Sequence, residues 1–274
     1  MKRLIAMFFV ALLAVTLMGC GGEECEECEV CEECEVCEEQ AFGYGTAYMV
    51  VHSHYVGVAE VVVDENDDVV SVFFDEYYLP YSWAKVTPED PENLPETILQ
   101  VEVTGHSGAV TQYNAKYLSI DGVLYTGTVT GEAPTQTVVY SAEGVADFDV
   151  WVEDAANAEA YVMAIEAGEV FIADAAGAAL DLVQADGSAM YGWSKTVTPY
   201  WTTDSGRGLG WSLNMKAIAD ALVGTSFEVS PDDIGFADGF YTIGDITTGA
   251  TLSDFVDYYT LAQAAYNAAV ASKA

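Results

Sequence analysis

Three threonines, Thr247, Thr248 and Thr251, stand within five positions of the stretch "GDITTGATLSDF" (residues 244–255). A threonine hydroxyl can serve as a nucleophile when it is exposed, oriented and free of bulky neighbours. Gly249 and Ala250 supply small neighbours, and Asp245 places a carboxylate in the same stretch. The competing reading is a plain connector, in which a left-handed glycine and a hydroxyl cap join a strand to a helix. A connector accounts for Gly249 and one Thr or Ser. It does not account for the whole pattern.

A second group of reactive side chains lies far upstream. In "GGEECEECEVCEECEVCEE", Cys25, Cys28, Cys31, Cys34 and Cys37 recur at every third position between glutamates and valines. CxxC spacing brings thiolates close enough to share a soft metal or an iron–sulfur cluster. Against this, the array is a low-complexity repeat without the irregular spacing and apolar packing that bury a cluster. The plainer reading is an acidic, self-repelling tether. About 20 such residues reach on the order of 70 Å when extended. Both readings stay open. His52 and His54 in "VVHSHYVG" would share one face of a strand and could meet a metal or a ligand. No third ligand stands near them, so ordinary strand histidines are the simpler reading. "YYLPYSWAK" (77–85) is dense in aromatics and would suit either the wall of a planar cofactor or a core. The sequence carries no Walker loop, no GxGxxG ahead of a helix, no HExxH and no GxSxG.

The start of the chain says where these groups would work. Lys2 and Arg3 precede an apolar run over residues 4–17, and "LMGC" closes it at Cys20. The run is shorter than the ~20 apolar residues needed to span a bilayer and reads as a cleaved secretory signal. "LMGC" resembles the lipobox of bacterial lipoproteins, which implies acylation of Cys20 and an anchor on the outer face of the cell membrane. The alternative is an ordinary signal peptide cleaved nearby. Several acyl chains, at ~0.8 kcal/mol per buried CH₂, would hold the protein there stably. The thiols of residues 25–37 would then face an oxidising environment.

The net charge is −36, and removal of Lys2 and Arg3 leaves six basic residues against 44 acidic, or −38. Such a chain repels nucleic acid, whose phosphates need Lys and Arg to neutralise them. It attracts cations and basic partners. The reading divides the chain into a signal peptide (1–19), a lipidated Cys/Glu-rich tether (20–40) and a folded domain (41–274).

The folded part must position the threonine stretch. "YVGVAEVVVDENDDVVSVFFDEYYLP" is two strand-forming runs joined by Asp64, Glu65, Asn66 and Asp67. "PEDPENLPE", with Pro88, Pro91 and Pro95, is a surface loop. A hairpin is expected around Asp121 and Gly122. A helix ending near Gly168 and then a short strand follow. A second hairpin is expected in "LDLVQADGSAMYGW". "LGWSLNMKAIADALVG" is an amphipathic helix stopped at Gly224. Phe255, Tyr259, Ala262, Tyr266 and Val270 mark a last helix, beginning near Ser253, with one packed face. Strands and helices without regular βαβ alternation predict an α+β fold with a mixed, largely antiparallel sheet and packed helices.

Asp245, Thr248, Gly249, Ala250 and Thr251 together spell D-x-x-[ST]-G-A-[ST], a pattern that chance gives in roughly one chain in a thousand of this length. It resembles the flavinylation motif of the FMN-binding domain family. Members include subunits of the Rnf and sodium-translocating NADH–quinone oxidoreductase complexes, and lipoproteins of extracellular electron transfer. The resemblance implies that a flavin transferase places FMN, taken from FAD, on the hydroxyl of Thr251 as a phosphoester. The run 55–77 is similar to the family's opening hairpin, and a final helix after the motif to its end. The middle, roughly 88–200, departs from the compact family domain and reads as an elaboration. The motif precedes a helix, whose free N–H groups would favour a phosphate. Small residues at 249 and 250 leave room for in-line transfer, and Asp245 could orient the hydroxyl or fix the loop. The resulting expectation is a covalent-FMN electron carrier, fed by a quinone-linked membrane donor and discharged by an external acceptor. Two alternatives stand beside it: a flavin-dependent extracellular reductase with its own small-molecule acceptor, and a non-redox lipoprotein that binds metal through the Cys/Glu run.

Overall fold

Alternating valine-rich runs and turn-forming clusters fold the chain as a series of antiparallel hairpins. The computed structural model describes residues 41–105, 107–185, 194–196 and 209–273. Strands β1 (Gly43–Val51), β2 (Tyr55–Val63) and β3 (Val69–Tyr78) form an antiparallel meander. A one-turn helix, α1 (Pro80–Trp83), leads to the hairpin β4 (Ile98–Gly105) and β5 (Gly108–Ala115). Then come β6 (Tyr117–Ile120), β7 (Val123–Thr130) and β8 (Thr137–Ser141). Helices α2 (Phe148–Trp151) and α3 (Ala155–Ala167) follow, and β9 (Val170–Ala173) returns to pair with β6. The resulting sheet has the order β8-β7-β6-β9. Helix α4 (Gly210–Leu222) precedes a small sheet of β10 (Gly235–Ala237), β11 (Phe240–Ile243) and β12 (Ile246–Thr247). Helix α5 (Phe255–Ser272) closes the chain's described part. The protein is thus α+β, and every described strand pairing is antiparallel.

Helix α5 lies along β1 and β2 because the sheet offers it a shallow face. Gly45, Ala47 and Gly57 share that face with Val61 and Ala59 across the ladder. A Cβ on Gly45 would sit 2.2 Å from the carbonyl oxygen of Ala265 and from the amide nitrogen of Ala269. Backbone here meets backbone, so no flexible side chain can yield. Gly45→Val is expected to displace α5 and destabilise the domain by about 2–3 kcal/mol or more, read as a lower thermal midpoint. The other face of the meander carries α3. Asp154 caps that helix by accepting from the amides of Ala156 (3.0 Å) and Asn157 (3.3 Å). The Tyr77 hydroxyl donates to Glu166 Oε1 at 2.8 Å.

One expectation is corrected here. His52 and His54 do not lie on a strand. They occupy the β1–β2 turn, where His52 (φ 52°) and Ser53 (φ 56°) take left-handed conformations. Of the hairpin expected in "LDLVQADGSAMYGW", residues 180–185 are described. Part of that stretch lies against residues 85–87, with Thr87 N donating to Val183 O (2.8 Å) and Ala185 N to Lys85 O (3.0 Å). Residues 186–193 lie outside the described residues. The aromatic run 77–85 goes mainly into the core. Trp83 is fully buried, its Nε1 donates to the Tyr161 hydroxyl (2.8 Å), and that hydroxyl donates to Tyr78 O (2.6 Å).

Candidate functional site

The loop 244–254 is built in steps from its own sequence. Gly244 and Asp245 form the turn between β11 and β12, whose register pairs Ile243 with Ile246. The chain then bends at Thr248, which is buried. Its amide and its hydroxyl both donate to Tyr241 O, at 2.9 and 3.0 Å. The same hydroxyl oxygen accepts from Ala250 N at 3.1 Å. Gly249 sits at φ 73° with open space around a would-be Cβ, so its requirement is conformational rather than steric. Ala250 and Leu252 are buried, while Thr251 between them is exposed. The loop thus pins both neighbours of Thr251 and presents that residue outward. Of the three threonines, Thr248 shapes the turn, Thr247 is exposed on the short strand β12, and Thr251 stands at the apex.

A residue the motif does not contain completes the arrangement. Asn214 of α4 is fully buried. Its Oδ1 accepts from Thr251 N at 2.7 Å and lies 3.4 Å from Thr251 Oγ1, while its Nδ2 donates to Gly210 O at 2.7 Å. Tyr241 holds the loop's far side: its hydroxyl donates to Ser253 O (2.8 Å) and its ring stacks on Phe255 at 4.7 Å. Asp245 is exposed, and among the described residues no hydrogen bond engages its carboxylate. The contact to the Thr251 hydroxyl therefore comes from Asn214 rather than from Asp245.

Helix α5 starts near Ser253, as expected, but that end carries charge. Its first residue is Phe255, and its first turn is faced by Asp254 and Asp257. The His52 amide donates to Asp257 Oδ2 (2.9 Å), and His52 Nδ1 lies 2.5 Å from Asp254 Oδ2. Two carboxylates already occupy this helix end, so they offset the dipole attraction for a phosphate there.

Beneath the loop lies a buried ionic cluster. Glu76 on β3 is fully buried on the face under α5, opposite Gly57. Its Oε1 accepts from Trp211 Nε1 (2.5 Å) and from the Tyr258 hydroxyl, and its Oε2 pairs with Lys195 Nζ. The Lys195 ammonium also stands 3.5 Å from the centre of the Tyr55 ring. Burial lowers the Lys195 pKa, while Glu76 opposes that shift. Burial is also the largest cause raising the Tyr258 pKa, with the Glu76 charge next. Residues 194–196 extend the edge of β3: Lys195 N donates to Glu76 O at 2.9 Å, and Thr196 N to Asp75 Oδ1 at 3.1 Å. Helix α4 serves both assemblies, Trp211 holding Glu76 and Asn214 holding Thr251. Beside Trp211, a cleft of about 360 Å³ opens between β3 and α4, lined by Phe73, Phe74, Met215 and Thr196 among others.

Sequence reading missed Glu76 and Asn214, although each leaves a signal. Glu76 is a charge at an inward strand position between Phe74 and Tyr78. Asn214 interrupts the buried stripe Trp211, Met215, Ile218, Leu222 of α4. Cys20 and the run Cys25, Cys28, Cys31, Cys34 and Cys37 lie outside the described residues. Among the described residues, no group of three or more His, Cys, Asp or Glu could hold a metal, and no helix is long and apolar enough to cross a membrane. What fold and loop define is an α+β domain that offers one pinned, outward threonine ahead of its last helix. Neither protein-family models nor curated proteins nor solved structures gave a match to this chain.

Proposed function

We propose that this chain is a lipid-anchored extracellular flavoprotein that bears FMN on Thr251 as a phosphoester and relays electrons from a quinone-linked membrane donor to an external acceptor. The observation that carries the reading is the exposed Thr251 between two buried neighbours, its amide held by Asn214. A modifying enzyme needs such an acceptor: accessible, unhindered and already oriented. Thr248, Gly249 and Ala250 shape the loop, and Asp245, exposed on its approach, is available for contact with a flavin transferase. The flavin would supply the redox chemistry, and the protein its exposure and surroundings. The meander that opens the domain and the helix that follows the loop are compatible with an FMN-binding-like fold carrying an enlarged middle region. Cys20 would bear the lipid, and the Cys/Glu run would serve as tether. The cleft between β3 and α4 favours one second reading, a flavin-dependent reductase that binds a small acceptor there.

The test is production of the whole chain alongside a flavin transferase. A protein band that fluoresces after denaturation, with an FMN-phosphoester mass on the peptide containing Thr251, is the expected result. No flavin on the chain, or flavin on another residue, refutes the reading. Saturable turnover of a small acceptor would favour the reductase over the carrier.

A further inference from the structure

The structure assigns to Asn214 the positioning of the Thr251 hydroxyl for phosphoryl transfer, an inference that rests on Thr251 being the flavin acceptor. An asparagine on the buried stripe of α4 is unfavourable twice over. It is a poor helix former, and its amide is costly to bury unless its hydrogen bonds are met. Here they are met by the helix itself and by the acceptor loop. The Gly210 carbonyl can only accept and the Thr251 amide can only donate, so the partners fix which end of the side-chain amide faces the loop. Oδ1 therefore points at Thr251.

That oxygen does two things. It anchors the Thr251 backbone through a bond of 2.7 Å, and at 3.4 Å it draws the hydroxyl hydrogen weakly inward. With its hydrogen aimed at Asn214, Oγ1 turns its lone pairs toward solvent. In the transfer, Oγ1 attacks the phosphorus of the FMN half of a flavin dinucleotide held by the transferase. The Oγ1–P bond forms, the pyrophosphate P–O bond breaks, and AMP leaves with the bonding pair. The hydroxyl proton passes to a base of the transferase, because a carboxamide oxygen is too weak a base to keep it. The amide bond to Thr251 N survives the loss of that hydrogen, so the hold persists in the product.

The experiment compares the whole chain as wild type, Asn214→Leu and Asn214→Asp, with purified transferase and FAD. Leucine has similar bulk and no acceptor, whereas aspartate, neutral in this fully buried place, keeps an oxygen for the Thr251 amide and an O–H for the Gly210 carbonyl. A misplacement of about 1 Å can cost on the order of 100-fold in rate. Asn214→Leu is expected to lower kcat of flavin incorporation roughly 10- to 100-fold with KM for the protein unchanged. Asn214→Asp is expected to restore most of it. In the wild type, the Thr251 amide should resist hydrogen exchange although its side chain is exposed. Wild-type labelling of Asn214→Leu overturns the inference, as does equal loss in both variants. An unprotected Thr251 amide also overturns it, and this is read on the wild type whether or not the leucine variant folds. A wild-type chain that takes no flavin although its Thr251 amide is protected refutes the flavin reading itself, not the hold of Asn214 on the loop.

Discussion

Thr251→Ala is expected to remove all covalent flavin and to leave the domain folded. The substitution deletes the acceptor oxygen but keeps the amide that Asn214 holds. The lost side-chain contact is long and exposed, so the stability cost should stay near ~0.5 kcal/mol or less. Thr251→Ser retains a hydroxyl and should therefore keep some labelling. Thr247→Ala should be nearly silent. Thr248→Ala behaves differently from both. It strips the turn of one donor and leaves the Ala250 amide without its partner in a buried position. An unmet buried amide costs about 1–3 kcal/mol, so both labelling and stability should fall. Asp245→Ala should lower labelling without moving stability, since the residue is exposed. In-gel fluorescence, peptide mass mapping and thermal melts separate these outcomes. Equal labelling of Thr251→Ala and wild type would end the assignment.

The largest stability effect is expected from the cluster around Glu76. Lys195→Met leaves the Glu76 carboxylate fully buried with Trp211 and Tyr258 as donors but without its counter-charge. Breaking one side of a buried pair costs about 3–5 kcal/mol. In a domain of this size each kcal/mol lowers the melting midpoint by roughly 2–4 °C, so the drop should be obvious in a thermal scan. Glu76→Gln combined with Lys195→Met removes both charges while a side-chain oxygen remains to accept from Trp211 and Tyr258, and should recover part of the loss. If the single and double variants melt alike, the two side chains are not energetically coupled.

Much of the fold is legible because it is decided locally. Asp64 closes the β2–β3 turn by accepting from the amides of Asn66 (2.8 Å) and Asp68 (3.0 Å), and Asp121 with Gly122 closes β6–β7. Both turns fall where their residue types place them. Gly168 ends α3 as a left-handed cap whose amide returns to Ala164 O and Ile165 O, and Gly224 follows the last residues of α4 at positive φ. What escapes the sequence is pairing between distant segments. Nothing near Val170 announces that β9 will return to β6, nor that residues 183–185 will lie on 85–87. His52 and His54 look like strand residues because valines flank them, yet the hairpin closes there through two non-glycine residues at positive φ. The loop 244–254 is readable because its residues are contiguous. Asn214 is not, since it meets Thr251 from 37 positions away.

The path of α5 along β1 has a consequence for access. The two run in opposite directions: Gly43 packs on Ala269 at the helix C-terminus, and the His52 amide bonds Asp257 at its N-terminus. Eighteen helical residues cover about 27 Å at the usual rise. The site where the chain enters the domain and the loop that carries Thr251 therefore stand at opposite poles, roughly the diameter of a small domain apart. A protein that grips the first strand at Gly43 does not by that fact shield Thr251.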